Sequence, residues 1–402
     1  MSLVGEAEGG GAHEWSDPDR SRPAAVGLKV VLVEPDLEDS GAIRVDLQRA
    51  VRWGELGARV VVVVLERKEE REWVPIPAGV EIRFVTKRTR RFRYVYALGL
   101  LKVWWLARRS DAVLSGREMQ FGVVVAAKAA RAARRPLAVT MHSWQEKAMA
   151  EHVEPRYRDS MREAVAGADL VVCVSDALAV ATRASSPRPE RVHTVRNGID
   201  AELVRRSASS PPEVPLPEGP LVVGCGRLND EKGFDVLVRA HAQALADGAT
   251  PHSVVVVGEG PRRAALQSLA RELGVEGTVT FTGFASNPWP VLARADLFVL
   301  PSRYEGLTLT LLEALALGVP VAASQCEGPE EILEGGRYGA LFPVEDVAAL
   351  ARVIGRHLRD PDDLVERAAA GAAVVAERYD VASAALAHLE LLQQLGKVRV
   401  RR

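Results

Sequence analysis

The sequence predicts an α/β protein of two domains, each a parallel sheet with helices on both faces, meeting across a cleft. Three observations carry that prediction. Short continuous apolar runs alternate with helix-length segments from residue 29 to residue 195, the pattern of strands buried on both faces. The same rhythm restarts at residue 221 and continues through the second half. Between the halves, residues 201–219 (AELVRRSASSPPEVPLPEG) are rich in Pro and Ser and read as a linker. A chain of 402 residues also exceeds one small core and suits two domains.

Taken in order, residues 30–33 read as the first strand, and the periodic segment 43–56, closed by Gly57, as the first helix. Residues 60–65 and 82–85 are the next strands. A helix over 94–108, a strand at 112–114, a helix over 121–133 and a strand at 137–140 follow. Strands at 170–174 and 192–195 complete the first half. In the second, strands fall at 221–223, 254–257, 279–282, 297–300 and 319–322, with helices between them. Open sheets of this kind bind ligands at the carboxyl ends of their strands, so the cleft is the predicted site.

Composition narrows the function. A formal net charge of −1 gives no general affinity for nucleic acid, although residues 1–200 hold 32 Lys and Arg against 27 Asp and Glu and residues 201–402 hold 20 against 26. Cys173, Cys225 and Cys326 show no CxxC spacing and read as small core residues in a reducing cytosol. Residues 1–27 are rich in Gly, Glu and Asp, lack a basic-then-apolar leader, and read as a disordered tail. No apolar run reaches the roughly 18–20 residues of a spanning helix. The expected location is the cytoplasm, with peripheral contact at the inner face of the membrane left open.

The stretch 305–314, EGLTLTLLEA, carries the most chemistry. It follows an apolar strand and begins a helix. Glu305 precedes the helix and Glu313 is expected two turns inside it. Between them Gly306, Leu307 and Thr308, continuing to Leu309, offer backbone N–H groups to an anion. Carboxylates flanking an anion hole point to a sugar attached to a phosphate. Upstream, residues 224–235 read GCGRLNDEKGFD. Gly226 lets backbone approach a ligand, and Arg227 and Lys232 can converge on a diphosphate. Two solvated surface cations are the plainer reading of that loop.

Four further places are candidates. Gly41, in the loop after the first strand, precedes a helix and can lie beside a phosphate or an acceptor. His142 follows a strand in TMHSW. Arg196 and Asn197, in RNGID, stand at a turn before the linker, where Arg196 can face the cleft. Residues 82–110 hold nine Lys and Arg and no acid, interleaved with Tyr94, Tyr96, Trp104 and Trp105. That composition reads as a membrane-surface contact, a groove for an anionic acceptor, or a sheet-covering helix with a basic end. The histidines form no ligand spacing, and the DxD at Asp17-Pro18-Asp19 lies in the tail, so a metal is not required.

This ordered set of motifs resembles the retaining GT-B glycosyltransferases of family 4. The Glu305 and Glu313 pair after a strand, Gly226-Arg227-Leu228 with Glu231-Lys232-Gly233, and Asn197-Gly198-Ile199-Asp200 carry the resemblance, over residues 29 to 395. It implies two Rossmann-like domains: an acceptor domain over 28–205, a linker over 206–219, a nucleotide-sugar domain over 220–380, and a C-terminal helix over 381–402 that crosses back. It implies transfer of a hexosyl group from a nucleoside-diphosphate sugar by front-face attack, with retention and without a cofactor or metal. Arg227 and Lys232 would hold the diphosphate, Glu313 the ribose and Glu305 the sugar hydroxyls. The amides of 306–309 would take the distal phosphate, with His142 beside the sugar ring and Gly41 by the phosphate or acceptor.

The chain departs from the family pattern at Ser40-Gly41, where paired glycines are usual, and at Arg196, where Pro is usual. Acceptor identity stays open between a cell-envelope glycolipid or polysaccharide precursor and a secondary metabolite. A peripheral membrane contact through 87–109 favours a lipid-linked or anionic acceptor. Two rival readings remain: a nucleotide-sugar epimerase on the same plan, and a non-catalytic nucleotide-sugar-binding protein. A nicotinamide enzyme is disfavoured because no glycine-rich loop reads GxGxxG.

Overall fold

Runs rich in Val and Leu set the two sheets. In a computed structural model, which describes residues 27–38, 41–66, 76–86 and 92–400, they form two Rossmann-like domains. The N-terminal domain runs β1 (Lys29–Glu34), α1 (Gly41–Glu55), β2 (Arg59–Glu66), β3 (Glu81–Thr86), α2 (Phe92–Ala107), β4 (Ala112–Ser115) and α3 (Phe121–Ala133). It continues with β5 (Leu137–Met141), α4 (Gln145–His152), α5 (Pro155–Ala166), β6 (Leu170–Cys173), α6 (Asp176–Ser185), β7 (Val192–Thr194) and α7 (Ala201–Ala208). Its seven strands are all parallel in the order β3-β2-β1-β4-β5-β6-β7. β4, β5 and β6 are buried along their whole length, because helices cover both faces.

The second domain runs β8 (Leu221–Cys225), α8 (Phe234–Ala246), β9 (Ser253–Val257), α9 (Arg263–Glu272), β10 (Val279–Gly283), α10 (Trp289–Leu292) and β11 (Leu297–Leu300). It ends with α11 (Leu309–Ala316), β12 (Val321–Ser324), α12 (Glu327–Ile332), β13 (Ala340–Phe342), α13 (Val347–Arg359) and α14 (Asp362–Arg378). Six parallel strands take the order β10-β9-β8-β11-β12-β13. The last helix, α15 (Val381–Val400), returns to the first domain. Leu389 and Leu392 enter the core beside α1, and Trp53 Nε1 donates to the Ala385 carbonyl at 2.7 Å. The crossing is pinned where Ile199 pairs with Asp380.

Three local readings change. Residues 201–208, which composition assigns to the linker, are helical. Asp200 caps them by accepting from the Leu203 N–H at 2.8 Å, and the prolines that mask the helix lie beyond its end. β12 begins at Val321 rather than 319, after Pro320. α11 begins at Leu309, so Glu313 lies one turn inside it and not two. Residues 1–26, Ser40 and 87–91 lie outside the described residues, so the expectations for the tail and for the first five positions of 87–109 are not addressed.

Each sheet reverses its winding once, between β1 and β4 and between β8 and β11. Crevices open at the carboxyl ends of strands at such points. The two crevices face each other, and the domains touch there.

Candidate active site

The C-terminal half of the site grows from the ends of β8 and β11. The loop after β8 brings Lys232 to the start of α8, and the loop after β11 brings Ser302 and Glu305 opposite. Lys232 Nζ donates to Glu305 Oε1 at 2.5 Å, and Ser302 Oγ donates to the same oxygen at 2.6 Å. Both partners are largely buried, with 18% and 6% of their side-chain surface exposed. Burial alone would lower the Lys232 ammonium. Glu305 and Glu231 outweigh it and hold the amine above its ordinary range, so Lys232 is a fixed cation.

Beyond Glu305 the chain turns into α11 through Gly306, Leu307 and Thr308. Among the described residues, no hydrogen bond takes up the N–H of Gly306, Leu307, Thr308 or Leu309. The Thr308 hydroxyl is also buried without a partner. Free amides and an unmatched hydroxyl at a helix N-terminus form a ready anion site. Glu313, buried on α11, and Lys232 both act on the Cys225 thiol, which burial first and Glu313 second push up to about 12. The two charged side chains therefore share one neighbourhood at the end of β8. Arg227 is exposed on the loop between them, after Gly226.

The N-terminal domain closes the site from above. His142 follows β5, and Glu118 fixes its backbone by accepting from the His142 N–H at 3.1 Å and the Ser143 N–H at 2.9 Å. A Cβ on Gly306 would stand 2.0 Å from the His142 carbonyl oxygen, so only glycine permits this contact between the domains. Gly41, the first residue of α1, lies against Leu309: a Cβ there would be 3.3 Å from Leu309 Cδ1. His142, Gly41, Gly226, Lys232, Glu305, the 306–309 amides and Glu313 are thus brought to one place.

Arg196 and Asn197 are engaged elsewhere. Arg196 pairs with Glu331 of α12 at 2.9 Å and with Asp176, and Glu331 also accepts from the Asp176 and Ala177 amides at the start of α6. Asn197 is buried and accepts from Arg49 at 3.3 Å. Arg196 thus faces the seam between the domains through Glu331, away from the 306–309 loop, while Asn197 is held by Arg49 within the N-terminal domain. Gly198 serves the returning chain, since a Cβ there would lie 2.4 Å from the Asp380 carbonyl carbon.

Several residues that sequence reasoning passed over belong to the site. Trp144 Nε1 donates to the Glu305 carbonyl at 3.1 Å, and the Tyr304 hydroxyl donates to Glu151 at 2.6 Å, both across the seam. Arg44 on α1 reaches the Cys225 neighbourhood. Ser302 orients Glu305. The position of Ser302 before the Glu305 loop was a signal in plain view; Arg44 and Trp144 had none. Among the described residues, no group of three His, Cys, Asp or Glu stands where it could hold a metal ion.

Comparison with known proteins follows the same division. Residues 41–203 match the model of glycosyltransferase family 4, and residues 219–360 match that of glycosyl transferases group 1. The alpha-D-kanosaminyltransferase of Streptomyces kanamyceticus is 30% identical over 266 residues, 62% of this chain and 68% of that protein. A GDP-mannose-dependent alpha-(1-6)-phosphatidylinositol monomannoside mannosyltransferase of Mycobacterium tuberculosis is 32% identical over 250 residues, 58% of this chain and 64% of that one. Among solved structures, Anabaena HepE in complex with UDP-glucose superposes with a TM-score of 0.72 at 23% identity, over 93% of this chain and 100% of that chain. At that identity the likeness shows a shared GT-B fold.

Proposed function

Because the chain belongs to the glycosyl transferases of group 1, with a family 4 N-terminal region, we propose that it moves a hexosyl group from a nucleoside-diphosphate sugar to an acceptor with retention of anomeric configuration. One observation carries this reading. A fixed cation, Lys232, and the open amides of 306–309 stand beside two buried carboxylates, Glu305 and Glu313, at the contact with His142. That combination matches a ligand with oxyanions at one end and hydroxyls on both sides. The UDP-glucose bound by HepE and the GDP-mannose named for the mycobacterial relative are ligands of that class.

In this proposal Arg227, Lys232 and the amides meet the diphosphate, Glu313 the ribose, and Glu305 the hydroxyls of the transferred sugar. His142 lies over the sugar ring and Gly41 beside the phosphates or acceptor. The bond from the anomeric carbon to the phosphate oxygen breaks, and the acceptor oxygen bonds to that carbon on the same face. The acceptor's proton passes to the departing phosphate oxygen. The residues act by stabilising the leaving charge in a dry seam, where oriented donors are most effective. No cofactor or resident metal is called upon.

The acceptor is proposed to be lipid-linked or anionic, and the contact to be an anionic membrane surface, in keeping with a cytoplasmic protein held at the membrane. α2 supports this by turning Tyr94, Leu98, Leu101 and Trp105 outward, at helical spacing along one face. Arg109 stacks on Trp105 at 4.4 Å, and the helix carries no acid. No described helix is long and apolar enough to cross a membrane. Calorimetric titration of UDP, GDP and their sugars into the protein tests the donor reading. One nucleotide should bind and its sugar should bind at the same site; a protein that binds neither nucleotide contradicts the reading.

A further inference from the structure

The crevice between β1 and β4 holds a carboxyl pair that the transfer chemistry above does not use. Glu34, at the end of β1, and Asp46, on the inward face of α1, are buried to 0% and 1% exposure. They meet over Gly116, the residue after β4. A Cβ there would lie 1.8 Å from Glu34 Oε1 and 2.6 Å from Asp46 Oδ2, so the pair occupies the space a side chain would fill. Each outer oxygen has a cation. Arg117 Nε donates to Glu34 Oε2 at 3.2 Å, and Arg49 Nη1 donates to Asp46 Oδ1 at 2.9 Å.

The inner oxygens have none. Glu34 Oε1 and Asp46 Oδ2 are buried without a hydrogen-bond partner, and so is His142 Nε2, 3.7 Å from Asp46 Oδ2. An unmatched buried polar atom is destabilising, and three in one crevice call for a common solution. Two protons supply it. A proton on Glu34 makes its inner oxygen a donor to Asp46, and a proton on His142 Nε2 makes the ring a second donor to the same carboxylate. Burial first, then the charge of Asp46, raises the Glu34 carboxyl well above the usual carboxylate range, the direction such sharing requires.

We propose that Asp46 is the positioning residue for His142, accepting from a protonated Glu34 and from the His142 ring, so that the ring is held in its Nε2–H tautomer with a lone pair on Nδ1 for a sugar or acceptor hydroxyl. The use of that lone pair rests on the donor-site reading above; the tautomer does not. The charged and titratable groups facing the pair are Arg49 on α1, Arg117 and Asp36 on the loops after β4 and β1, His142 after β5, and His388 on α15. With Glu34 neutral, the two arginines balance Asp46 and Asp36. Loss of the Glu34 proton at high pH adds an unbalanced buried charge and removes the bond that orients Asp46.

Nitrogen-15 NMR of histidine-labelled protein reads the tautomer without substrate, with His142→Gln identifying the signal, and donor turnover reads its consequence. In the wild type His142 should carry its proton on Nε2. Asp46→Asn and Glu34→Ala should lose that preference and slow turnover by at least ~10-fold, the scale of an orienting partner, with nucleotide affinity unchanged. Glu34→Gln, which keeps an N–H donor facing Asp46, should restore the tautomer and most of the rate and abolish the fall at high pH. An unchanged tautomer in Asp46→Asn, or a Glu34→Gln protein as impaired as Glu34→Ala, overturns the proposal. Should Asp46→Asn fail to fold, the two Glu34 variants carry the same test. If the wild type turns over no donor, the donor reading fails while the tautomer still decides this one.

Discussion

Lys232 Nζ lies 2.5 Å from Glu305 Oε1, so two groups from different loops of the second domain neutralise each other inside the seam. A buried pair broken from one side leaves an uncompensated charge and costs about 3–5 kcal/mol. Lys232→Ala should therefore lower the melting temperature and nearly abolish transfer. Glu305→Gln, which keeps an acceptor for both Lys232 and Ser302, should lose transfer with a smaller change in melting. Thermal melts and turnover on the two proteins check this, and equal melting losses would show that the pair does not act as described.

Glu305 and Glu313 should separate by function. Glu313→Ala should weaken binding of the free nucleoside diphosphate, because that carboxylate is assigned to the ribose. Glu305→Ala should slow transfer with nucleotide affinity nearly kept. Arg227→Ala, on an exposed loop, should leave the fold intact and reduce kcat/KM by about 10- to 100-fold, the scale of one charge-assisted hydrogen bond of roughly 1.5–3 kcal/mol. Calorimetry with nucleotide and steady-state kinetics give the split; equal losses of nucleotide affinity in the two glutamate variants would refute it.

How far these assignments were legible in the sequence depends on the kind of interaction. The strands were legible because valine runs such as 60–65 have no other stable home than a doubly covered sheet. The 305–313 loop was legible because a strand, a glycine and an apolar helix fix its direction. What the side chains contact was not. Arg196 reads as a cation that can face the cleft, and only the fold brings Glu331 to it from 135 residues away. Asp46 reads as one polar position on an amphipathic helix, and its burial appears only when Glu34 and Gly116 close over it. The strand Ala340–Phe342, at three residues, is too short to stand out from its surroundings.

The second domain should lose stability in acid for a reason remote from the site. His241 Nδ1 and His252 Nε2 are 2.9 Å apart in the core, and burial first, then His252, lowers His241 from 6.5 to about 4. The folded domain thus binds fewer protons than the unfolded chain between those values. Stability is present in full above pH 6.5 and falls as pH drops towards 4, by roughly 3 kcal/mol from this group. His252 is lowered too and acts in the same direction. Melting temperatures from pH 4 to 7 should show this slope, and His241→Gln should flatten it; an unchanged slope in that variant would contradict the assignment.

The outward stripe on α2 should act on membrane association alone. Leu101→Glu and Trp105→Ser should release the protein from anionic vesicles at low salt while soluble-donor hydrolysis stays unchanged, since neither side chain lies near the seam. Co-sedimentation with anionic and neutral vesicles measures it. A wild type that ignores anionic vesicles at low salt would remove the membrane from the account.

Lys232, Glu305, Glu313 and the 306–309 amides are proposed to form the donor cradle of a glycosyl transfer. The most direct measurement is release of nucleoside diphosphate from a panel of nucleotide sugars with no acceptor present. One donor should be hydrolysed slowly, with the nucleoside diphosphate and free sugar as products, and Lys232→Ala should lose that hydrolysis. No release from any donor, or a rearranged nucleotide sugar without release, would contradict it.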